Sequence, residues 1–387
     1  MKITMILPAL GLHQLALSND LYNALGNGFT FIATEKITSG RFGFNYDEMA
    51  TQYSYVIKAY DSNEAFGKAK SVIADSDVLI IGSSPNCYTD FVYNNSKALV
   101  LRYSERLFKN GTIRRFIPSV RRKIKNQFQF NRKNLAVLCA SGYLPYDLSF
   151  FSKNITTLKW GYFPENKILN NIERKSVNDD IVKILWAGRM VKVKRPMDAI
   201  EMVKRLKSQG VSFELSFIGS GEMLGQINKE IYDNKLDKNI VVKGEMNTED
   251  LFSEMCASDI FLFTSSFGEG WGAILNEAMN AGCACVCSHA PGSVPFVVED
   301  GKNGIIYHNG NINELCEKVK MLIDNPYLRK TIGKEAYRTV TEYWNHREAS
   351  ARLIDLVQHY IYTGEIKAYD SGILSEAQVI KNNWHKD

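Results

Sequence analysis

The sequence predicts an α/β protein made of two doubly wound, parallel-sheet domains. Three observations lead there. Short β-branched runs alternate with helical patterns along the chain, 387 residues suffice for two ordinary cores, and one polar, Asn-rich stretch divides the chain near its middle.

Taken in order, the strand candidates of the first half are KITMILPAL, FTFIAT, DVLIIG, ALVLRY and NLAVLCAS. Those of the second are VKILWAG, FELSFIG, NIVVKGE, IFLFTSS and CACVCSH. Each is a short apolar run bounded by turn residues, as a strand buried on both faces should be. The opening MKITMILPAL has the charge and apolar run of a leader but lacks a small-residue cleavage site, so it reads as a first buried strand. Residues 161–180 are the linker. The domains therefore run 1–165 and 166–344, and 345–387 forms a tail. From about Asp324 the pattern is helical to the end, and the tail is expected to pack back across the first domain.

Composition excludes several classes. A net charge of +5 and a pI near 8.6 do not by themselves imply nucleic acid. No apolar run approaches the roughly 18 residues that span a bilayer. Cys87, Cys139, Cys256, Cys283, Cys285, Cys287 and Cys316 show no disulfide spacing, which points to a reducing, cytoplasmic setting. The three thiols of CACVC fall on one face of a strand and read as small buried hydrophobes rather than metal ligands. Asp75 and Asp77 precede their strand, at the wrong sheet edge for a metal pair, so no metal is expected.

The densest chemistry lies in SSFGEGWGAILNEAMNAG, where a strand ends near Thr264, a glycine turn follows and a helix begins near Gly272. Such a junction aims backbone N–H groups out of the sheet's carboxyl edge, a place suited to a diphosphate. Glu269 and Glu277 would repel phosphate unless engaged by hydroxyls. An ionised carboxylate accepts two hydrogen bonds from a vicinal diol, worth about 1.5 to 3 kcal/mol each. The pattern describes a sugar, a diphosphate and a ribose. The competing reading makes Glu269 a dipole partner and Glu277 a solvated helix residue. After the strand of ILWAGRMVKVKRPM come Gly188, Arg189 and Lys194, cations able to hold a departing diphosphate; Lys192 and Arg195 compete for the role.

These segments, GRMVKVK, FIGSGE, VVKGE and FTSSFGEGWGAILNEAMNAG, resemble family 4 of the glycosyltransferases, specifically over about residues 181–344 and more loosely before them. The resemblance implies a GT-B fold, two Rossmann-like domains facing a central cleft, and a retaining, metal-independent hexosyltransferase of bacterial surface-polysaccharide type. It makes 1–165 the acceptor domain and 166–344 the donor domain. By position, Glu269 would contact the hexose, beside the backbone of Gly270, Trp271 and Gly272. Ala273 and Ile274 would offer N–H groups to the diphosphate, Arg189 and Lys194 would hold it, and Glu277 would take the ribose. Gly244 would lie against the base, Gly188 and Gly219 would line the donor pocket, and Gly11 would border the cleft from the other domain. The chain around Trp344 resembles the family's crossing back to the first domain. No cofactor is implied beyond a UDP- or GDP-linked sugar as co-substrate, and the acceptor would be a glycan or a polyprenyl-linked glycan.

Two departures stand out. Family members often carry a histidine after the strand read here as ALVLRYSERLFK, where this chain has Ser104, Glu105 and Arg106; with His13, Ser104 and Glu105 are the acceptor-side candidates. The glutamate common after a GGxP turn is Phe296.

Rivals remain. GSGEMLG, with Gly219, Gly221 and Gly225, is a near miss to the dinucleotide fingerprint with Glu245 as ribose acid, which would make an NAD(P)-dependent oxidoreductase. A non-catalytic sugar-binding protein would explain the carboxylates without the cations. The six histidines are not expected to cluster; His289 is a candidate for acceptor or base, and His308, His346, His359 and His385 read as structural or exposed. Finally, residues 106–133 hold ten Lys or Arg and no acid, with Val120, Ile124 and Phe128 repeating every fourth position. Either that stripe lies on an anionic membrane, making the protein peripheral on the inner face of the cell membrane, or it faces the first domain's sheet.

Overall fold

The structure is a computed structural model and describes residues 1–38, 44–109, 111–169 and 181–385. Much of the expected linker, 170–180, lies outside the described residues. The chain divides into two compact units, Met1–Glu165 with Trp344–Lys381, and Asn166–Tyr343 with Asn382–Asp387.

The first unit is a seven-stranded parallel sheet: β1 (Ile3–Leu7), β2 (Phe29–Ala33), β3 (Val56–Lys58), β4 (Val78–Ile81), β5 (Leu99–Ser104), β6 (Leu135–Cys139) and β7 (Thr156–Lys159), in the order β3-β2-β1-β4-β5-β6-β7. β1, β4 and β6 are buried along their whole length, which explains their unbroken apolar runs. The second unit is a six-stranded sheet: β8 (Val182–Ala187), β9 (Phe213–Ile218), β10 (Ile240–Gly244), β11 (Ile260–Phe263), β12 (Ala284–Ser288) and β13 (Ile305–Tyr307), in the order β10-β9-β8-β11-β12-β13. All its pairings are parallel too.

Three strands escape the sequence pattern: β3, β7 and β13. All are three or four residues long and all are sheet edges, too short for a strand pattern to stand out from residue order.

The tail corrects a further expectation. Its helix, His346–Thr363, is capped by Asn345 and ends at Gly364, and the rest is not helical. Residues beyond it serve the exposed edge of β7. The Lys159 N–H donates to Ser375 O at 2.8 Å, the Leu374 N–H to Lys159 O at 2.8 Å, and the Ala377 N–H to Thr157 O at 2.8 Å. An unpaired sheet edge presents a row of unmet N–H and C=O groups, and a helix could not satisfy them. The tail helix itself joins the first unit through His346 Nδ1, 2.5 Å from Asp20 Oδ2.

The structure separates the two readings of the basic helix. Ile124 and Phe128 of the helix Pro118–Phe128 are 6% and 1% exposed, so the apolar stripe faces the interior of the first unit.

Candidate functional site

In the second unit the strand order reverses between β8 and β11, whose connections leave in opposite directions. Ligands of open α/β sheets bind outside the carboxyl ends at such a switch point. The two motifs singled out in the sequence are the loops after these two strands. The β8–β11 ladder consists of Ile260 with Ile184 and Phe261 with Leu185, so it stops short of the carboxyl ends. There the loops are tied by side chains. The Trp186 Nε1–H donates to Thr264 Oγ1 at 2.9 Å, and the Thr264 hydroxyl donates to Lys194 O at 2.7 Å. The Ser266 N–H adds a bond to Val193 O at 2.8 Å.

The result is an ion pair between Lys194 and Glu269, residues 75 positions apart, each with a side chain 15% exposed. A pair so little hydrated requires that both groups be held in place by their loops. Arg189, one step past Gly188, is exposed and has no ion-pair partner among the described residues. Its rival Arg195 is committed elsewhere: its Nε and Nη2 bind both oxygens of Asp198 at 2.7 and 3.0 Å. Burial raises the Asp198 carboxyl above its usual range, opposed by that same arginine, which marks the pair as structural. Lys192 remains exposed.

The helix after the glycine turn, Ile274–Asn280, is buried at six of its seven positions, and Glu277 is the half-open exception. A solvated surface helix would show the opposite. The helical bonds begin with the Leu275 N–H to Gly272 O at 3.0 Å, and the Ala273 and Ile274 N–H groups precede that first turn. Trp271 is fully buried; its Nε1–H donates to Asn276 Oδ1 at 3.0 Å and its ring lies 6.5 Å from Phe296. Only the Trp271 backbone faces the turn, and Phe296, in the place of a polar residue, packs on the indole.

Gly188, Gly219 and Gly244 stand side by side at the carboxyl ends of β8, β9 and β10, joined by Gly188 N–H to Ile218 O at 3.0 Å and Gly219 N–H to Gly244 O at 2.7 Å. This geometry disfavours the dinucleotide reading. A Cβ on Gly219 would meet Gly188 O at 2.1 Å, and one on Gly221 would meet Met190 O at 2.6 Å. Both glycines are spent on the neighbouring loop rather than on a ligand's phosphate. Glu245, the proposed ribose acid, accepts a hydrogen bond from Ser220.

Sequence reasoning missed what stands behind the turn. The Asn309 N–H donates to His289 Nδ1 at 3.0 Å, which leaves the proton on Nε2 to bond Asn382 O at 2.9 Å. Asn309 Nδ2 bonds Ser265 O at 3.3 Å and Ser288 Oγ at 2.8 Å. His289 is 6% exposed, and burial holds it below its ordinary pKa, so it backs the turn instead of reaching a ligand. The histidines do cluster: ring centroids of His289, His308 and His385 lie 4.9 to 6.2 Å apart, because the tail returns to this unit at Asn382. Among the described residues, His308, Glu314 and His385 form a group able to hold a metal ion, with ligand atoms within 4.8 Å of one another. His308 Nδ1 already lies 2.9 Å from Glu314 Oε2.

In the first unit the structure joins the acceptor-side candidates. His13 stacks on Tyr162 with centroids 5.1 Å apart, the Tyr162 hydroxyl donates to Glu105 Oε1 at 2.6 Å, and the Ser104 hydroxyl donates to Glu105 O at 2.8 Å. Glu105 also pairs with Lys109. Tyr162, the residue that links them, belongs to no motif. Gly11 caps the helix Leu12–Leu25 beside His13.

Comparison with known proteins decides the class of the second unit. Residues 168–339 match the family model of glycosyl transferases, group 1. This region is a group 1 glycosyl transferase domain. Over 170 residues it is 28% identical to the poly(ribitol-phosphate) alpha-N-acetylglucosaminyltransferase of Staphylococcus aureus, covering 44% of this chain and 34% of that protein. Over 176 residues it is 30% identical to the capsular polysaccharide biosynthesis glycosyltransferase CapM of Staphylococcus aureus, covering 46% and 45%. The chain thus spans less than half the length of these curated relatives. Both units together are similar in fold to Anabaena HepE in complex with UDP, with TM-score 0.69, 13% identity, and coverage of 93% of this chain and 100% of that one. The GT-B class of two Rossmann-like units follows from this likeness and the two sheets.

Proposed function

We propose that the protein is a retaining glycosyltransferase that moves a hexose-type sugar from a UDP- or GDP-linked donor to a hydroxyl of a glycan or polyprenyl-linked glycan. We place it in capsule, exopolysaccharide or O-antigen assembly on the cytoplasmic side. The observation that carries this reading is the Lys194–Glu269 pair at the switch point of a group 1 domain, with Arg189 exposed on the same loop after β8 as Lys194. A sugar-binding module has use for the carboxylate but none for two cations.

In this mechanism the acceptor oxygen attacks the anomeric carbon on the face from which the diphosphate leaves. The bond from that carbon to the phosphate oxygen breaks, its electron pair stays on the diphosphate, and the leaving oxygen takes the acceptor's proton. Arg189 and Lys194 meet the negative charge as it develops, so no metal is required. Glu269, released from Lys194, accepts hydrogen bonds from the sugar hydroxyls. Glu277 accepts those of the ribose, and the backbone at Gly270, Trp271, Gly272, Ala273 and Ile274 lies along the diphosphate. The poly(ribitol-phosphate) and capsular polysaccharide names of the relatives, and the UDP bound in the HepE complex, support the donor and acceptor classes.

A thermal-shift panel of UDP, GDP, ADP and NAD tests the reading. UDP or GDP should stabilise the protein, and Glu277→Ala should reduce that shift and raise the donor KM about tenfold or more, the loss of a charged hydrogen bond. Stabilisation by NAD alone would replace the transferase with an oxidoreductase.

A further inference from the structure

Inward burial of the Ile124–Phe128 stripe removes the amphipathic helix as a membrane face, yet it leaves a different apolar surface. Directly ahead of that helix, the one-turn element Thr112–Phe116 and its neighbour hold Ile113 at 76%, Phe116 at 67% and Ile117 at 43% exposure. Nothing in local composition explains three large apolar side chains in solvent.

The turn is firmly seated. Phe128 stacks on Phe130, centroids 5.6 Å apart, Phe130 on Phe151 at 5.9 Å, and Phe151 on Phe108 at 6.3 Å. Two arginines clamp the turn to this stack. Arg115 lies 4.0 Å from the centroid of Phe150, and Arg121 lies 4.9 Å from that of Phe151 while donating to Arg115 O at 3.3 Å.

Charge sorts the remaining basic residues. Arg106 is buried against Asp147, and Lys109 is neutralised by Glu105, so neither adds unpaired charge to the surface. Arg114, Arg122, Lys123 and Lys125 are exposed with no ion-pair partner among the described residues, and the segment carries no acid. Three apolar tips are too small an area for a stable protein interface, which needs about 1,000 Å². Single-sign charge around apolar tips instead matches a surface that is fluid, anionic and apolar beneath its headgroups.

We propose that the turn Thr112–Phe116 docks the first unit on an anionic lipid bilayer. Ile113, Phe116 and Ile117 enter the boundary between headgroups and acyl chains, and Arg114, Arg122, Lys123 and Lys125 pair with lipid phosphates. This deepens the transferase reading by placing the acceptor on a membrane surface.

The test is flotation of the full chain with phosphatidylcholine vesicles, with and without phosphatidylglycerol. Wild type should bind only the anionic vesicles. The triple variant Ile113→Ser, Phe116→Ser, Ile117→Ser should bind on the order of 10-fold more weakly, and reversal of the four cations to Glu on the order of 100-fold more weakly. In an otherwise wild-type chain, Phe116→Trp should shift its emission to the blue on anionic vesicles. Triple-variant binding equal to wild type, equal binding to neutral vesicles, or no wild-type binding would overturn the proposal. So would competition by nucleic acid that leaves the triple variant unaffected. All variants should keep the thermal shift with UDP or GDP, so loss of vesicle binding with that shift intact removes this proposal alone.

Discussion

The two units share an architecture, a parallel sheet with helical crossovers and a switch point, but they furnish their carboxyl edges differently. In the second unit the edge rests largely on glycine backbone at three strand ends pressed together, with two loops sewn by the Trp186 and Thr264 side chains and the Ser266 N–H, and the Lys194–Glu269 ion pair among them. In the first unit it is made of side chains, with Tyr162 joining His13 to Glu105. A backbone-built edge tolerates few residue types at each position, because a Cβ at Gly219 has no room. An aromatic edge can be rebuilt in many ways. The group 1 match covers residues 168–339, the part of the chain that carries the glycine edge.

The largest expected effect breaks the second edge at its centre. Lys194→Ala should lower kcat by about 100- to 1,000-fold, the usual loss when one preorganised charge is removed from a transition state. Steady-state kinetics with a UDP- or GDP-sugar would check it, and a kcat within a few-fold of wild type would deny Lys194 that role.

A subtler change asks what the pair does before donor arrives. In Glu269→Gln, Lys194 is released, so UDP alone should bind several-fold tighter while transfer from the intact sugar nucleotide slows. Calorimetric titration with UDP separates these. Equal weakening of both would mean that Glu269 merely shapes the loop.

On the first edge, Tyr162→Phe keeps the ring beneath His13 and deletes one hydrogen bond to Glu105. The acceptor KM should rise a few-fold, and the nucleotide-induced thermal shift should stay as it is. A change in nucleotide affinity would place Tyr162 on the donor instead.

The smallest effect concerns pH. Burial lowers His289 from its ordinary 6.5, so the unfolded chain takes up a proton there that the folded chain refuses. The resulting stability is complete above about pH 6.5 and declines as pH falls through that value toward the folded pKa. The Tm should drop by a few degrees on acidification, and His289→Gln should flatten the profile. A profile in the variant as steep as in wild type would assign the loss to other groups.

Much of this could be read from residue order. The long strands declared themselves because central parallel strands are apolar on both faces. The places of Arg189, Lys194, Glu269 and Glu277 after their strands could be read because strand, glycine turn and helix follow one another within a few residues. Reading failed where the deciding contact is distant. β3, β7 and β13 exist through their neighbours, and the non-helical tail is explained by the open edge of β7, more than 200 residues before it. The periodicity at Val120, Ile124 and Phe128 was real, but a period does not say which way the stripe points.

Local succession is a property of the chain, since backbone sterics and hydrophobic periodicity act over a few residues; hence the long strands, their strand-end loops and the identity of the charged groups on them were determined by residue order alone. Which charge meets which was decided only on folding. Lys194 finds Glu269 because β8 and β11 lie side by side, Asn382 and His385 reach His289 because the tail returns, and Ile113 and Phe116 stay outside while Phe128, Phe130 and Phe151 stack on one another.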